Sequence, residues 1–290
     1  MAECRYYRVA EHVFSVTAGE DVFALMTNYA PFEITAAEVK QNLLFALQVT
    51  NEAMPEMEVE HVFTDRSDED MPRIEIDKAL GKGWLLGVSM FRDSDVCCHI
   101  LSSEDFNKVT LYLTGEQNKR FALDNAAMLI FAFASVRLGT LEMHASVTVK
   151  DELGYLFLGK SGTGKSTHSR QWLQLFPEAW LLNDDNPVVR FFPAQGEKEA
   201  EVIVYGSPWS GKTPCYKNKQ VRVGGIVKLT QAPYNKATKL RLPEAYAFML
   251  ASSSGLKIVP ETMDALYSTI SQLITKVPML GLECLPDTDA

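Results

Sequence analysis

The chain has no excess of positive charge, no metal-spaced cysteines, no low-complexity tract and no internal repeat. Each absence closes a class of function. A formal net charge of -9 disfavours non-specific nucleic-acid binding, although it leaves room for a local basic pocket. The five cysteines are odd in number and fit no zinc pattern. Cys97-Cys98 is an adjacent pair and not a C-x-x-C redox motif, so reduced thiols in a cytosol are expected. Residues Met1–Ala10 carry Glu3, Arg5 and Arg8 and lack the apolar centre of a signal peptide. The longest apolar run, Ala126–Val136 (broken only by Ser135), is far short of the ~20 residues of a membrane span. The expected setting is the cytoplasm, with neither membrane nor nucleic acid among the partners.

What remains is a globular composition: 290 residues, 47% apolar and 22% charged, enough for one large domain or two ordinary ones. Residues 1–120 read as a β-rich region. Strand-like segments lie at Val13–Val16, Val22–Leu25, Leu43–Val49, Val59–Phe63, Trp84–Phe91, Val96–Leu101 and Val109–Thr114. Gly81-Lys82-Gly83 marks a turn, and Asp65–Asp70 is an acidic stretch suited to a solvated loop. Residues 121–290 change character. Phe121–Leu138 predicts a long buried helix, with Asp124 and Asn125 as candidate caps and Gly139 as its stop. Strands are expected at His144–Lys150, Gly154–Leu158, Ala179–Asn183, Asn186–Phe192, Glu201–Tyr205, Val223–Leu229 and Leu280–Cys284, and helices at Ser166–Phe176, Pro243–Ser253 and Thr262–Thr275.

The most specific motif is Gly159-Lys160-Ser161-Gly162-Thr163-Gly164-Lys165-Ser166-Thr167. It satisfies G-x-x-x-x-G-K-[ST] and sits between a strand-like and a helix-like segment, the setting a phosphate-binding loop needs. Glycines let successive N–H groups converge on one anion, and the following helix turns its positive end to the same place. Lys165 would reach the terminal phosphates and the Ser166 hydroxyl would hold Mg²⁺. The competing reading is a glycine-rich turn that happens to match.

A second signal is Trp180-Leu181-Leu182-Asn183-Asp184-Asp185, an apolar strand ending in two acids. Mg²⁺ takes hard oxygen ligands, commonly one or two carboxylates beside the phosphates. A carboxylate near an attacking hydroxyl can serve as general base. Successive strand residues face opposite ways, so the two acids need not share a task unless the strand has ended. An Asp-Asp pair also suits an ordinary turn.

A loop of this kind, followed after one helix by a strand ending in Asp-Asp, resembles the HPr kinase/phosphorylase catalytic domain and the related phosphoenolpyruvate carboxykinases. The resemblance extends to His144-Ala145-Ser146-Val147 upstream, and downstream to Gly206-Ser207-Pro208-Trp209 and Gly225-Ile226-Val227-Lys228-Leu229. It covers about residues 121–290. It implies an α/β (α+β) fold with a mixed-sheet P-loop kinase core, and Lys165 as the phosphate clamp. It further implies Asp184 and Asp185 as the acids sharing metal and base duty, and His144 as a histidine near the phosphates. A strand histidine is more often a satisfied structural residue, and both readings of His144 stand at this point. After Asp185 the chain runs through Pro187-Val188-Val189-Arg190 to Glu201–Tyr205 and lacks the HPr kinase metal-binding Glu and Arg-Gly stretch. HPr itself is therefore not implied as the acceptor.

The expected activity is an ATP- and Mg-dependent phosphotransfer to a hydroxyl on a protein, peptide or small molecule. ATP would bind through Gly159, Ser161, Gly162, Thr163, Gly164, Lys165, Ser166 and Thr167. The metal would bind Ser166, Asp184 and Asp185, and catalysis would rest on Asp184, Asp185, Lys165 and His144. Two alternatives stay open: a nucleotide-binding regulatory module with little turnover, and a carboxykinase-like metabolic enzyme. The acceptor and any homo-oligomer are undetermined, and the β-rich region would supply an acceptor site or dimer surface. Ser207–Pro214 contains Lys212, a candidate second anion contact, although Trp209 suits a surface turn packed on the core. Arg190, Arg222 and Arg241 are further candidate phosphate cations.

Overall fold

A computed structural model describes residues 2–65, 72–115, 118–211, 213–255, 257–287 and 289. The acidic stretch 66–70 and Lys212 lie outside the described residues. The chain divides into two compact units, Met1–Ala134 and Ser135–Ala290. Both are built on mixed sheets, so the protein is a strand-rich α+β chain.

In the first unit β1 (Glu3–Val9) and β2 (His12–Ala18) form a hairpin, followed by the single-turn helix α1 (Glu20–Phe23). Then come β3 (Glu33–Ile34), β4 (Ala46–Thr50), β5 (Val59–Thr64), β6 (Arg73–Ala79), β7 (Gly83–Ser89), β8 (Val96–Ser102), β9 (Lys108–Leu113) and the long helix α2 (Lys119–Ser135). The sheet order is β3-β1-β2-β4-β9-β8-β7-β6-β5. β4 runs parallel to β2 and β9, and the other neighbours are antiparallel.

Three sequence expectations are corrected here. Val22–Leu25 was expected as a strand, but Glu20–Phe23 is helical, with Glu20 and Asp21 placed to favour a helix N-terminus. Asp124 and Asn125 lie inside α2, so they do not cap it. Asp124 accepts a hydrogen bond from Asn28 Nδ2 at 2.9 Å, and Asn125 Nδ2 donates to the Phe121 carbonyl at 2.9 Å. The expected boundary at 120/121 moves to 134/135, because α2 packs on the first sheet. Phe131 meets His12 at 5.9 Å and Phe14 at 6.4 Å between ring centroids, and Phe133 meets Phe106 at 5.5 Å. Phe14 stacks on Phe45 at 4.7 Å, and burial of such rings dominates the energetics of this core. By length and composition Lys119–Leu138 would pass for a membrane span, but 61% of its most apolar window is buried within the protein.

The second unit opens with a left-handed Gly139, φ 68°, which stops the helical segment as expected. It continues through β10 (Thr140–Met143), β11 (Ala145–Lys150), β12 (Leu153–Leu158), α3 (Lys165–Leu175), β13 (Trp180–Asp185), β14 (Val188–Phe192) and β15 (Glu201–Tyr205). The remainder is β16 (Gln220–Gln231), β17 (Lys236–Lys239), α4 (Leu242–Ser252), β18 (Ser253–Ser254), α5 (Pro260–Ile274) and β19 (Met279–Cys284). The order is β13-β11-β12-β16-β15-β14-β10-β18, with β19 against β16 and β17. β16 is parallel to β12 and β19, whereas β11 and β12 form an antiparallel hairpin.

Alternation sorts the side chains of β12 to two faces. Leu156 and Leu158 join Val147, Leu182 and Ile226 under Met249, Ile270 and Leu273 of α4 and α5. Tyr155 and Phe157 face the other way, with Trp172 of α3 packed against them. Helices therefore cover opposite faces of the sheet, and α3 is fixed directly behind the strand whose end carries the glycine loop.

Candidate functional site

Sheet register brings the sequence-predicted residues to one edge. Ala145, at the start of β11, pairs with Leu158 at the end of β12 and with Asp185 at the end of β13. The glycine loop leaves from Leu158, His144 precedes Ala145, and the acids end β13. Loop, histidine and acids thus lie at the same end of three adjacent strands. β11 lies between the acidic strand β13 and the loop strand β12, and this places His144 between the loop and the acids.

The loop is held from within. Lys160 carbonyl accepts bonds from Thr163 N at 3.1 Å and Thr163 Oγ1 at 2.5 Å. Gly162 and Gly164 have φ of 77° and 105°, and a Cβ at either would meet nothing within 4 Å. Conformation, not crowding, is what requires glycine there. Gly164 is the N-cap of α3 and no side chain caps that helix end. The first-turn N–H groups of an eleven-residue helix are therefore free of side-chain competition, and they carry its positive dipole end.

Lys165, only 9% exposed, links the loop to the acids. Its Nζ donates to His144 Nε2 at 2.8 Å and to the Gly159 carbonyl at 3.1 Å. His144 Nδ1 lies 3.1 Å from Asp185 Oδ1. A cationic Lys165 donating to Nε2 leaves Nδ1 as the protonated nitrogen, so the network assigns a neutral imidazole that donates to Asp185. Burial lowers the pKa of Lys165 below its ordinary value, while the charges of Asp185 and Asp184 oppose that shift.

The two acids occupy different surroundings, as alternation requires. Asp184 is 4% exposed, whereas the Asp185 side chain is 34% exposed. Asp185 has φ 134°, a backbone region that glycine favours, and strain of this kind concentrates at working sites. Its Oδ2 accepts from Asn186 Nδ2 at 3.1 Å.

The segment after Ser207 crosses this strand end. Gly211 N and Ser210 Oγ donate to the Asp184 carbonyl at 2.7 and 2.9 Å. A Cβ on Gly211 would lie 3.1 Å from Asp185 Oδ2, so glycine there leaves the carboxylate uncovered. Trp209 is buried at 3% exposure, as the packed-turn reading of this segment expects. Arg222 pairs with Glu201 at 3.2 Å, Arg241 pairs with Glu244 at 2.5 Å, and Arg190 lies 4.7 Å from the Phe192 ring. None of these three contacts is with the loop.

Sequence reasoning missed the polar scaffold under the acids. Asn183 is fully buried, and its Nδ2 donates to Ser207 Oγ at 3.2 Å and to the Trp209 carbonyl at 3.0 Å. Its Oδ1 accepts from Asn186 N at 2.9 Å. One side chain thereby ties β13 to the crossing segment. An amide in the otherwise apolar Leu181-Leu182-Asn183 was the available signal. Behind the loop, Ser146 Oγ and Ser169 Oγ are 2.6 Å apart and join β11 to α3.

Glu142 was missed as well. It is fully buried in β10, where neither carboxyl oxygen makes a hydrogen bond of normal geometry among the described residues, although the Ser254 side chain is near enough to favour the charged form weakly. Burial pushes its pKa up to about 8, with its cross-strand neighbour Ser254 opposing and the Asp185 charge adding to the rise. It is therefore held largely as the neutral acid at neutral pH.

Ser166, Asp184 and Asp185 carry hard oxygens, the kind of ligand Mg²⁺ selects. The uncapped helix end with Lys165 beside it suits a polyphosphate. No protein-family model and no curated protein matches this chain.

Proposed function

We propose that the protein is an ATP- and Mg-dependent phosphotransferase of the HPr kinase/carboxykinase type, acting in the cytoplasm on a hydroxyl acceptor. The observation that carries this reading is the hydrogen-bonded series Lys165–His144–Asp185. It joins a glycine loop at a helix N-terminus to a strained, half-exposed carboxylate. The loop residues Gly159, Ser161, Gly162, Thr163, Gly164, Lys165, Ser166 and Thr167 would hold the triphosphate.

Ser166, Asp184 and Asp185 would hold Mg²⁺, which neutralises phosphate charge when bound. Asp185 would take the proton of the acceptor hydroxyl, and the hydroxyl oxygen would bond to the γ-phosphorus. The bond from this phosphorus to the bridging oxygen breaks, releasing ADP and a phosphate ester. Lys165 leaves the Gly159 carbonyl for the phosphate, exchanging a neutral acceptor for a charged one. His144 holds Asp185 through Nδ1 and Lys165 through Nε2, so it positions base and cation together.

The test is ADP release with candidate proteins and metabolites, beside ATP binding, for wild type and Asp185→Asn. Binding by both with acceptor-dependent turnover by wild type alone supports the reading. Equal turnover by Asp185→Asn removes the base, and ATP binding without turnover for any acceptor favours a regulatory nucleotide-binding module.

A further inference from the structure

Residues 140–150 form one line through the second sheet: β10, His144, then β11. Along one edge β13 and β14 follow that line in a single register, with Asp185 opposite Ala145 and Val188 opposite Glu142. Two other segments share the second edge and meet end to end. Leu158, where the glycine loop leaves β12, stands opposite Ala145. Ser253 of β18 stands opposite Met143. His144 lies between these two pairs, and its N–H donates to the Ser252 carbonyl at 2.9 Å. A strand has two hydrogen-bonding edges, and the acids hold the first. The end of α4 therefore meets the start of the glycine loop beside His144.

That end carries three hydroxyls, Ser252-Ser253-Ser254, in different surroundings. Ser253 is 4% exposed, and its Oγ donates to the Met249 carbonyl at 2.7 Å. Ser254 stands opposite the buried Glu142, farther from the loop. Ser252 is half-buried, and its hydroxyl makes no hydrogen bond among the described residues. It combines an unclaimed hydroxyl with the place nearest the loop. Lys165 Nζ is 2.8 Å from His144 Nε2 and 3.1 Å from the Gly159 carbonyl, so the cation that would hold a terminal phosphate borders the same histidine.

We propose that Ser252 is an acceptor hydroxyl, phosphorylated within its own chain. The inference rests on the phosphotransferase reading above and names a substrate for it. The Ser252 oxygen bonds to the γ-phosphorus of ATP, and its proton passes to the Asp185 carboxylate. The bond from that phosphorus to the bridging oxygen breaks, and ADP leaves with the electron pair. Attachment to the chain supplies the positioning that a free acceptor must gain by binding, and effective concentrations in well-oriented cases reach about 10⁵ M or more. The resulting ester sets a phosphate charge beside the loop, where it opposes entry of another triphosphate. Transfer should therefore stop at a single phosphate per chain.

The test is incubation of the full chain with γ-labelled ATP and Mg²⁺, with the label mapped by mass spectrometry in the tryptic peptide 242–257. Wild type is compared with Ser252→Ala, Ser252→Thr and Ser254→Ala, and thermal midpoints confirm that each variant folds. An affinity-tagged Lys165→Ala chain is also mixed with untagged wild type and separated afterwards. Label should appear on Ser252 at a rate independent of protein concentration. Ser252→Ala should lower incorporation by about tenfold or more, and Ser252→Thr should carry the label at the same position. Ser254→Ala should label as wild type does, and the tagged Lys165→Ala chain should stay unlabelled. Label on another residue, or full labelling of a folded Ser252→Ala, would overturn Ser252 as acceptor. Labelling of the tagged chain by wild type would overturn transfer within one chain. ADP release that needs an added acceptor, with the wild-type chain unlabelled, would overturn this inference and leave the phosphotransferase reading standing. Neither label nor ADP release with any acceptor would remove both.

Discussion

The two sheets of this chain fill their interiors differently. The first unit is packed with rings: Tyr7, Phe14, Phe45, Phe106 and Phe131 are each at most 2% exposed. Among its described residues no lysine, aspartate or glutamate is fully buried. The second unit buries Glu142, Lys165 and Asp184, together with Asn183, Ser146 and Ser169. Burying an ionisable group costs several kcal/mol unless partners compensate or, as at Glu142, the group gives up its charge. The first unit carries less of this cost, with Asp124 its main desolvated acid, and is held chiefly by apolar packing, whereas the second unit concentrates it around the proposed site.

The largest expected effect tests the first half of that contrast. Phe14 is fully buried between Phe45 and Phe131. Phe14→Ala should destabilise the first unit by about 3–5 kcal/mol, the usual cost of removing a buried ring. Urea unfolding measures this, and a loss below about 1 kcal/mol would mean the ring cluster is not what holds this sheet.

Next comes the cation of the second unit. Lys165→Ala should lower acceptor-dependent turnover by about 10²–10³-fold, as loss of a charge-stabilising donor does elsewhere. Its thermal midpoint should change little, because the relieved desolvation of Lys165 is offset by the lost bond to His144 Nε2 and the lost attraction of Asp185 and Asp184. A variant that turns over normally would refute the phosphate role. One that loses several kcal/mol of stability would make Lys165 a structural residue instead.

The contrast also explains what was legible in the sequence. The loop Gly159–Thr167 was readable as a turn between strand and helix because it is written in consecutive residues, with glycine wherever φ turns positive. The mixed character of the second sheet was readable from the short hairpin of β11 and β12. The link from Lys165 through His144 to Asp185 was not, since it depends on β11 separating β12 from β13, a matter of pairing and not of local pattern. β6 went unseen because Arg73, Glu75, Asp77 and Lys78 mask its alternation, and only Ile76 and Ala79 are fully buried. α2 was assigned to the wrong unit because it is apolar on most faces, and sequence alone does not say which sheet receives it. Glu142 gave no signal, because a lone glutamate in Thr140-Leu141-Glu142-Met143 reads as a solvent-facing strand residue.

That glutamate supplies a sharper test of charge burial in the second unit. Its folded pKa is about 8 against an ordinary 4.5, so the folded state holds a proton that the unfolded chain has lost across that interval. Stability contributed by the neutral carboxyl is full below pH 4.5 and is lost as pH rises to about 8. The slope between them approaches about 1.4 kcal/mol per pH unit. Glu142→Gln should remove this component, so its unfolding free energy should exceed that of wild type increasingly towards pH 8. Parallel wild-type and variant curves between pH 5 and pH 8 would show that Glu142 is already charged in the fold.

The smallest effect separates strain from chemistry at Asp185. Asp185→Asn keeps the shape, keeps φ at 134° and removes the proton acceptor. Asp185→Gly removes the side chain, with its contacts to His144 and Asn186, but releases a strain of order 1–3 kcal/mol. The added freedom of glycine in the unfolded chain offsets about 0.4–1 kcal/mol of that release. The lost contacts, half-exposed, offset about as much again. Both variants should therefore be inactive, with Asp185→Gly at least as stable as Asp185→Asn by chemical denaturation. If the glycine variant is instead the less stable by more than about 2 kcal/mol, the contacts of Asp185 outweigh its strain. The carboxylate would then belong to the architecture of the second unit as much as to its chemistry.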